Sequence, residues 1–368
     1  MSMRIDVTRP SLPPLKEYTA YLERIWESGI LTHHGPLVQE LERQLTAYLR
    51  VEHLATVVNG TVAIQFAIRA LNLTKEIITT PFTFIATASS VVWERCTPIF
   101  VDVQFDDFNI DPKAIEQGIT SNTQAILGVH VFSAPCDVLR IGEIARANSL
   151  RVIYDAAHAM GVEVEGRSLL EYGDISAVSF HATKLFNTVE GGACVSQDPE
   201  HIDRIRRFRF FGFDESKQVI DDGINGKMTE VSAAMGLANL KHLDTVRVQR
   251  RADYELYEGI LGSCPGVRLQ TYQSQRYNFS YFPIILPDED TVNRVVSKLN
   301  ELSIFPRRYF YPALNTIGRL GTVVELPVAE EIARRVLCLP LYYGIEAGTI
   351  RRICEVVYEA SSRHRRVP

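Results

Sequence analysis

The chain has few cysteines, and none of them is paired in a motif. Six stand at positions 96, 136, 194, 264, 338 and 354, and no two form a C-x-x-C pair. A zinc site or disulfide framework is therefore not expected, and reduced thiols in a cytoplasmic protein are the simple reading. A basic excess is also missing. Lys and Arg number 39 against 44 Asp and Glu, a net charge of −5, which argues against nucleic acid as a partner. The one basic cluster, Arg363, His364, Arg365 and Arg366, reads as a solvated tail. There is no run of about 18 apolar residues, so no membrane-spanning helix is expected. Residues 1–14 lack the apolar core of a signal peptide and carry Pro10, Pro13 and Pro14. Internal repeats and low-complexity segments are absent as well.

What the sequence does contain is apolar substance. Hydrophobic residues make up 46% and charged residues only 23%, which excludes disorder as the dominant state. Seventeen Phe and 15 Tyr help fill a core that needs no covalent staple. At about 150 residues per domain, the 368 residues suggest two or three units. Amphipathic helices are expected over 15–28 and 37–49, with the loop GILTHHGP (29–36) between them. Short apolar runs then alternate with helical patterns. Strands are expected at 54–58, 76–79, 98–101, 125–131, 151–154, 175–180 and 192–196. Helices are expected at 62–71, 84–94, 112–118 and 138–148. This rhythm predicts an α/β fold with a large, mostly parallel sheet covered on both faces. A single long helix over 229–257 would join it to a smaller C-terminal α/β unit. That unit has strands at 280–286 and near 304, and helices at 290–302, 328–334 and 346–361. The expected division is 1–240 and 241–368.

In such sheets ligands bind beyond the carboxyl ends of the strands, and four motifs lie there. Ser179-Phe180-His181-Ala182-Thr183-Lys184, followed by Glu190-Gly191-Gly192, puts a lysine directly after a buried strand. It is either a Schiff-base lysine or a surface lysine at a strand end. Asp155 ends the strand Val152-Ile153-Tyr154. It could hold a protonated pyridine nitrogen, with His158 near the same ring, or it could be a helix cap beside a core histidine. Asn59-Gly60-Thr61 opens a helix and is either a phosphate cradle or an ordinary cap. In Pro81-Phe82-Thr83-Phe84-Ile85-Ala86-Thr87 an aromatic ring could stack on a flat cofactor or simply fill the core.

The order of these motifs resembles that of fold-type I pyridoxal phosphate enzymes. More closely, the chain resembles the DegT/DnrJ/EryC1/StrS family of nucleotide-sugar aminotransferases. The resemblance is carried by NGT (59–61), PFTFIAT (81–87), DAAHAMG (155–161), SFHATKLFNTVEGGA (179–193) and GINGKMTEVSAAMGLANL (223–240). It runs from GILTHHGP to CLPLYYGI (338–345). It implies pyridoxal 5'-phosphate held by Lys184, with Asp155 on the ring nitrogen and His158 on the phenolic oxygen. Gly60, Thr61 and Ser179 would hold the phosphate. Phe84 is the better stacking candidate and Phe82 the weaker. Asn225 would reach the partner's phosphate in a homodimer, unless it is merely a turn residue between Gly223 and Gly226. A lysine rather than a histidine at 184 favours transamination over dehydration. The implied donor is L-glutamate, and the implied acceptor a keto sugar on a nucleoside diphosphate. GILTHHGP together with FPRRYFYP (305–312) looks closest to the group making dTDP-4-amino-4,6-dideoxy-D-glucose (viosamine), a precursor of bacterial polysaccharide such as O-antigen or of glycosylated natural products. Amination at carbon 3 and a non-catalytic cofactor-binding regulator are the alternatives. Arg308 would meet the diphosphate, Tyr309 and Tyr311 would line the sugar pocket, and Thr32, His33 or His34 would border it.

Overall fold

The computed structural model describes residues 4–274 and 276–362. The basic tail at 363–366 lies outside them. The strands are β1 (Ile5–Asp6), β2 (His53–Val57), β3 (Glu76–Thr79), β4 (Thr97–Phe100), β5 (Thr123–Val129), β6 (Arg151–Asp155), β7 (Glu163–Val164), β8 (Arg167–Ser168), β9 (Ile175–Ser179), β10 (Gly192–Ser196), β11 (Arg268–Leu269), β12 (Phe282–Ile285), β13 (Ile304–Phe305) and β14 (Val336–Leu339). The helices are α1 (Leu15–Ser28), α2 (Pro36–Leu49), α3 (Gly60–Ala70), α4 (Ile85–Trp93), α5 (Pro112–Gly118), α6 (Val138–Ala147), α7 (Pro199–Phe208), α8 (Glu230–Leu240), α9 (Leu243–Leu261), α10 (Glu289–Glu301), α11 (Pro327–Arg335) and α12 (Ala347–Ser362).

Seven strands form the large sheet in the order β2-β10-β9-β6-β5-β3-β4. Only β10 runs against its neighbours; the rest are parallel. Alternation along each strand feeds two cores, because successive side chains point to opposite faces. Ile78, Ile126, Val152 and Val178 pack with α2, α6 and α8 on one face. Ile77, Leu127, Ile153 and Ala177 pack with α3 and α7 on the other. With both faces covered, the strands read as continuous apolar runs rather than alternating ones.

The smaller sheet is antiparallel, β11-β12-β14, backed by α9, α10 and α12. A further core belongs to both sheets. Phe82, Phe108, Val129 and Phe132 pack there with Tyr281, Ile285, Phe310 and Val336. The strand β1 pairs in parallel with β13, so the start of the chain crosses the division expected at 240.

The long helix expected over 229–257 is two helices. The chain turns at Lys241 and His242, where the His242 N–H bonds the Asn239 carbonyl at 3.0 Å. This turn brings His242 Nε2 to 3.0 Å from Glu17 on α1 and Lys241 Nζ to 3.7 Å from its other oxygen. That tertiary contact leaves no mark on the apolar periodicity. Helix α7 and strand β14 were not expected from the sequence. Asp198 caps α7 by accepting from the Glu200 N–H at 2.9 Å.

Candidate active site

The carboxyl ends of β6 and β9 and the start of α3 open onto a cavity of about 360 Å³, which Tyr281, Tyr309 and Phe310 close from the smaller unit. Asp155, Lys184, His158, Gly60, Thr61, Ser179 and Phe84 all line it.

Asp155 is the last residue of β6 and is buried. Its Oδ2 accepts from Thr87 Oγ1 at 2.7 Å and its Oδ1 from the Ala157 N–H at 3.1 Å. Thr83 Oγ1 lies 2.9 Å from Thr87 Oγ1. Because Thr87 has given its only proton to Asp155, Thr83 must be the donor in that pair. Burial pushes the Asp155 carboxyl above its ordinary range, while Thr87, the Ala157 amide and Lys184 pull it back. Lys184 follows β9 in a turn closed by its N–H on the His181 carbonyl at 2.9 Å. Burial lowers its ammonium to about 8, against the opposing pull of Asp155. An amine so placed is a usable base and nucleophile near neutral pH.

The anion cradle is built by close approach of two loops. Asn59 caps α3, its Oδ1 accepting from the Val62 N–H at 2.9 Å. The first amides of α3, those of Gly60 and Thr61, have no carbonyl one turn earlier to bond. A Cβ on Gly60 would stand 2.8 Å from the Ser179 Cβ, so only glycine lets the helix start meet the end of β9. Opposite, Gly192 pairs with Ser179 across the β9–β10 ladder, and a Cβ there would strike the Asn59 backbone at 2.6 Å. Two open amides, two hydroxyls and a helix N-terminus make a site for a phosphate dianion.

Phe84 caps α4 and is 59% exposed at the cavity, whereas Phe82 is wholly buried among Phe108, Phe132 and Phe310. The His158 Nδ1 accepts from the Phe132 N–H at 3.2 Å, and burial, reinforced by Lys184, holds the ring well below its ordinary pKa.

Other expected residues stand elsewhere. Arg308 does not offer a free guanidinium to the cavity. It is paired with Glu289 at 2.7 Å, bonds the Arg334 carbonyl at 3.0 Å, and stacks 3.7 Å over Tyr311. Tyr309 lines the cavity, but Tyr311 does not. Thr32 and His33 lie on the surface loop 29–35, before α2, and are not among the residues lining the cavity that holds Lys184. His34 is turned to Glu42 at 2.9 Å. The His33 ring meets Phe210 edge-on at 5.4 Å, Phe210 bridges to Asn225, and the Asn225 side-chain oxygen accepts from Lys227 Nζ. These residues form one group outside the cavity of their own chain, with His33 and Asn225 exposed, Phe210 half-buried and Lys227 buried. Sequence reasoning missed Thr83 and Thr87, although both lie inside a quoted motif. It also missed Tyr281, which has no motif around it.

Residues 15–358 match the DegT/DnrJ/EryC1/StrS aminotransferase family. A relative from Shigella dysenteriae, dTDP-4-amino-4,6-dideoxy-D-glucose transaminase, is 42% identical over 366 residues, covering 98% of this chain and 100% of its own. A protein of the same name from Escherichia coli is 40% identical over 365 residues, 96% of this chain and 98% of its own. Among solved structures, DesI in the presence of its TDP-sugar product superposes with a TM-score of 0.92 at 33% identity, covering 99% of this chain and 96% of that one. Among the described residues no helix is long and apolar enough to cross a membrane, and no His, Cys, Asp or Glu cluster could hold a metal ion.

Proposed function

The chain belongs to the DegT/DnrJ/EryC1/StrS aminotransferase family, and from that premise we propose that it moves the amino group of L-glutamate to dTDP-4-keto-6-deoxy-D-glucose, using pyridoxal 5'-phosphate. The products would be dTDP-4-amino-4,6-dideoxy-D-glucose and 2-oxoglutarate. The observation that carries this reading is the amine of Lys184, lowered to about 8, in one cavity with a buried carboxylate and an anion cradle.

The donor set fits the cofactor group by group. Lys184 would hold its aldehyde and Asp155 its ring nitrogen. His158 would hold the ring oxygen and Phe84 the ring face. Gly60, Thr61 and Ser179 would hold the phosphate. When bound, pyridoxal phosphate supplies an electron-poor ring that stabilises negative charge on the substrate carbon being deprotonated.

The chain's own residues would do the rest. The neutral amine of Lys184, once free, takes a proton from the donor's α carbon and later returns one to the sugar carbon. Asp155, whose oxygens accept from Thr87 and the Ala157 amide, would keep a positive charge on the ring nitrogen favourable. Tyr281, Tyr309 and Phe310 narrow the opening and exclude water from the proton transfer. Asn225 of one subunit would complete the phosphate site of the other, so the working form is a homodimer. The two relatives above support carbon 4 as the site of amination. The six cysteines are free and buried, in keeping with a cytoplasmic reaction.

The test is reconstitution. Protein, pyridoxal phosphate, L-glutamate and dTDP-4-keto-6-deoxy-D-glucose are mixed and the product is read by NMR. An equatorial amine at carbon 4 supports the proposal, and an axial one there, the galacto epimer, contradicts the named product. An amine at carbon 3 moves the enzyme to another sugar class. A cofactor absorption band that survives unchanged in Lys184→Ala would refute the lysine assignment.

A further inference from the structure

His158 is fixed from several sides. Its carbonyl accepts from Ser133 Oγ at 2.6 Å and from Asn278 Nδ2 at 2.7 Å. Its ring lies nearly parallel to those of Phe132 and Phe310 and leans on Tyr281 at 4.7 Å. The decisive contact is at Nδ1, which faces the Phe132 backbone N–H at 3.2 Å. A peptide N–H only donates, so Nδ1 must present a lone pair. The neutral ring then carries its proton on Nε2. Adding a proton at Nδ1 would set two N–H groups head to head in a buried place and break that bond.

The Phe132 amide points this way because its backbone is left-handed, φ 54° and ψ 26°, inside the short turn Val131–Ser133. A bulky residue in that region is strained and persists only where its surroundings hold it. Here the Val131 N–H bonds Asn109 Oδ1 at 3.0 Å, and the Phe132 carbonyl accepts from the Tyr277 hydroxyl at 2.7 Å. The strained turn is thus built around the delivery of one N–H to one imidazole nitrogen.

We propose that His158 is a fixed hydrogen-bond donor and not a proton carrier: the Phe132 amide holds it as the neutral Nε2–H tautomer, which presents one unvarying N–H to an oxygen of the bound cofactor ring. The charged and titratable groups around it agree. Lys184 faces it in the cavity and opposes a second positive charge. Asp155, three residues earlier, spends its oxygens on Thr87 and Ala157. Tyr281 and Tyr309 stand on the smaller unit's side, and Arg250 lies behind them, bonded to the Ser280 carbonyl at 2.9 Å. Phe132 is accordingly a positioning residue acting through its main chain. The tautomer is a property of this chain alone; its use at the ring oxygen rests on the pyridoxal phosphate reading.

The test is ¹⁵N NMR of histidine-labelled holoenzyme, with His158 assigned by loss of its signals in His158→Gln. The expected pattern is a protonated Nε2 and an unprotonated Nδ1, constant from about pH 5.5 to about pH 9. A protonated Nδ1, or titration inside that range, overturns the proposal. A second measurement uses cofactor affinity. His158→Gln places an amide N–H where Nε2 stands, and His158→Asn reaches only the Nδ1 position. Glutamine should hold pyridoxal phosphate within about threefold of the wild type and asparagine about tenfold or more weakly. Equal losses in both variants overturn the assignment of Nε2 as donor. A wild type that binds no pyridoxal phosphate would instead sink the functional reading, while the NMR pattern still decides the tautomer.

Discussion

An amine enclosed like that of Lys184 gives up its proton more readily than one in water, because burial penalises the charged form. The sign of the pH effect follows. The neutral amine, which attacks an aldehyde, becomes abundant as pH rises through about 8 rather than through the ordinary 10.5. Capture of pyridoxal phosphate by the apoprotein should therefore quicken about tenfold per pH unit below that point and level off above it. Stopped-flow absorbance measures this, and a midpoint near the ordinary lysine value would contradict the enclosure. The neighbouring relay from Thr83 through Thr87 to Asp155 makes a second residue-level prediction. Thr87→Val removes a donor from a buried carboxylate and lets its pKa rise further. The single-turnover rate with glutamate should fall about tenfold to a hundredfold, with Thr87→Ser restoring most of it. A valine variant with unchanged rate would remove Thr87 from the machinery.

At the level of elements, α2 is held by carboxylates that belong to its neighbours or reach out to them. Its N-terminus has no side-chain cap of its own; Glu230 of α8 accepts from the Leu37 and Val38 N–H groups, both at 2.8 Å. Glu42 of α2 accepts from the Thr56 N–H and hydroxyl of β2, both at 2.8 Å, from His34 at 2.9 Å and from Arg209 after α7 at 2.5 Å. Burial would raise the Glu42 carboxyl, but Arg209 and His34 win and hold it well below its usual range. Arg209→Met leaves that charge buried without its main partner and should cost about 3–5 kcal/mol in urea unfolding. The carboxyl is depressed, so the pair's contribution is full above the ordinary value of 4.5 and fades only in stronger acid. The cost of the substitution should shrink there. Much of the element level was legible in advance. Glu76–Thr79 and Gly192–Ser196 stand where the apolar runs placed them. Lys184, Asp155 and Gly60 were legible because the parallel-sheet rule points to residues just past strand ends. The break between α8 and α9, the Phe132 amide and the approach of Tyr281 were not. Each depends on contacts between residues far apart in sequence or on a left-handed backbone that no residue type announces.

For the whole molecule, the group formed by His33, Phe210, Asn225 and Lys227 lies outside its own chain's cavity. If Asn225 serves the partner subunit, defects at Lys184 and Asn225 should complement. Equal amounts of Lys184→Ala and Asn225→Ala chains, unfolded and refolded together, give heterodimers with one intact site each. The mixture should recover about a quarter of wild-type activity, although each variant alone is severely impaired. No recovery above the separate variants would place Asn225 in its own chain's service or none. The core shared by both sheets, with Phe82 and Phe132 against Tyr281 and Phe310, gives a related expectation. Neither unit can shed its apolar contacts without exposing the other's, so calorimetry should record one transition and not two.

The pairing of Ile5 with Ile304 has a practical outcome for anyone who labels this protein. A fluorophore attached beside β1 would report on the turn that leads into the Arg307–Tyr311 stretch, and hardly at all on the helices that come next in the chain. Shortening the front of the protein by a handful of residues would likewise uncover the side of β13, so its damage should surface first in the smaller unit, whose core holds Ile304.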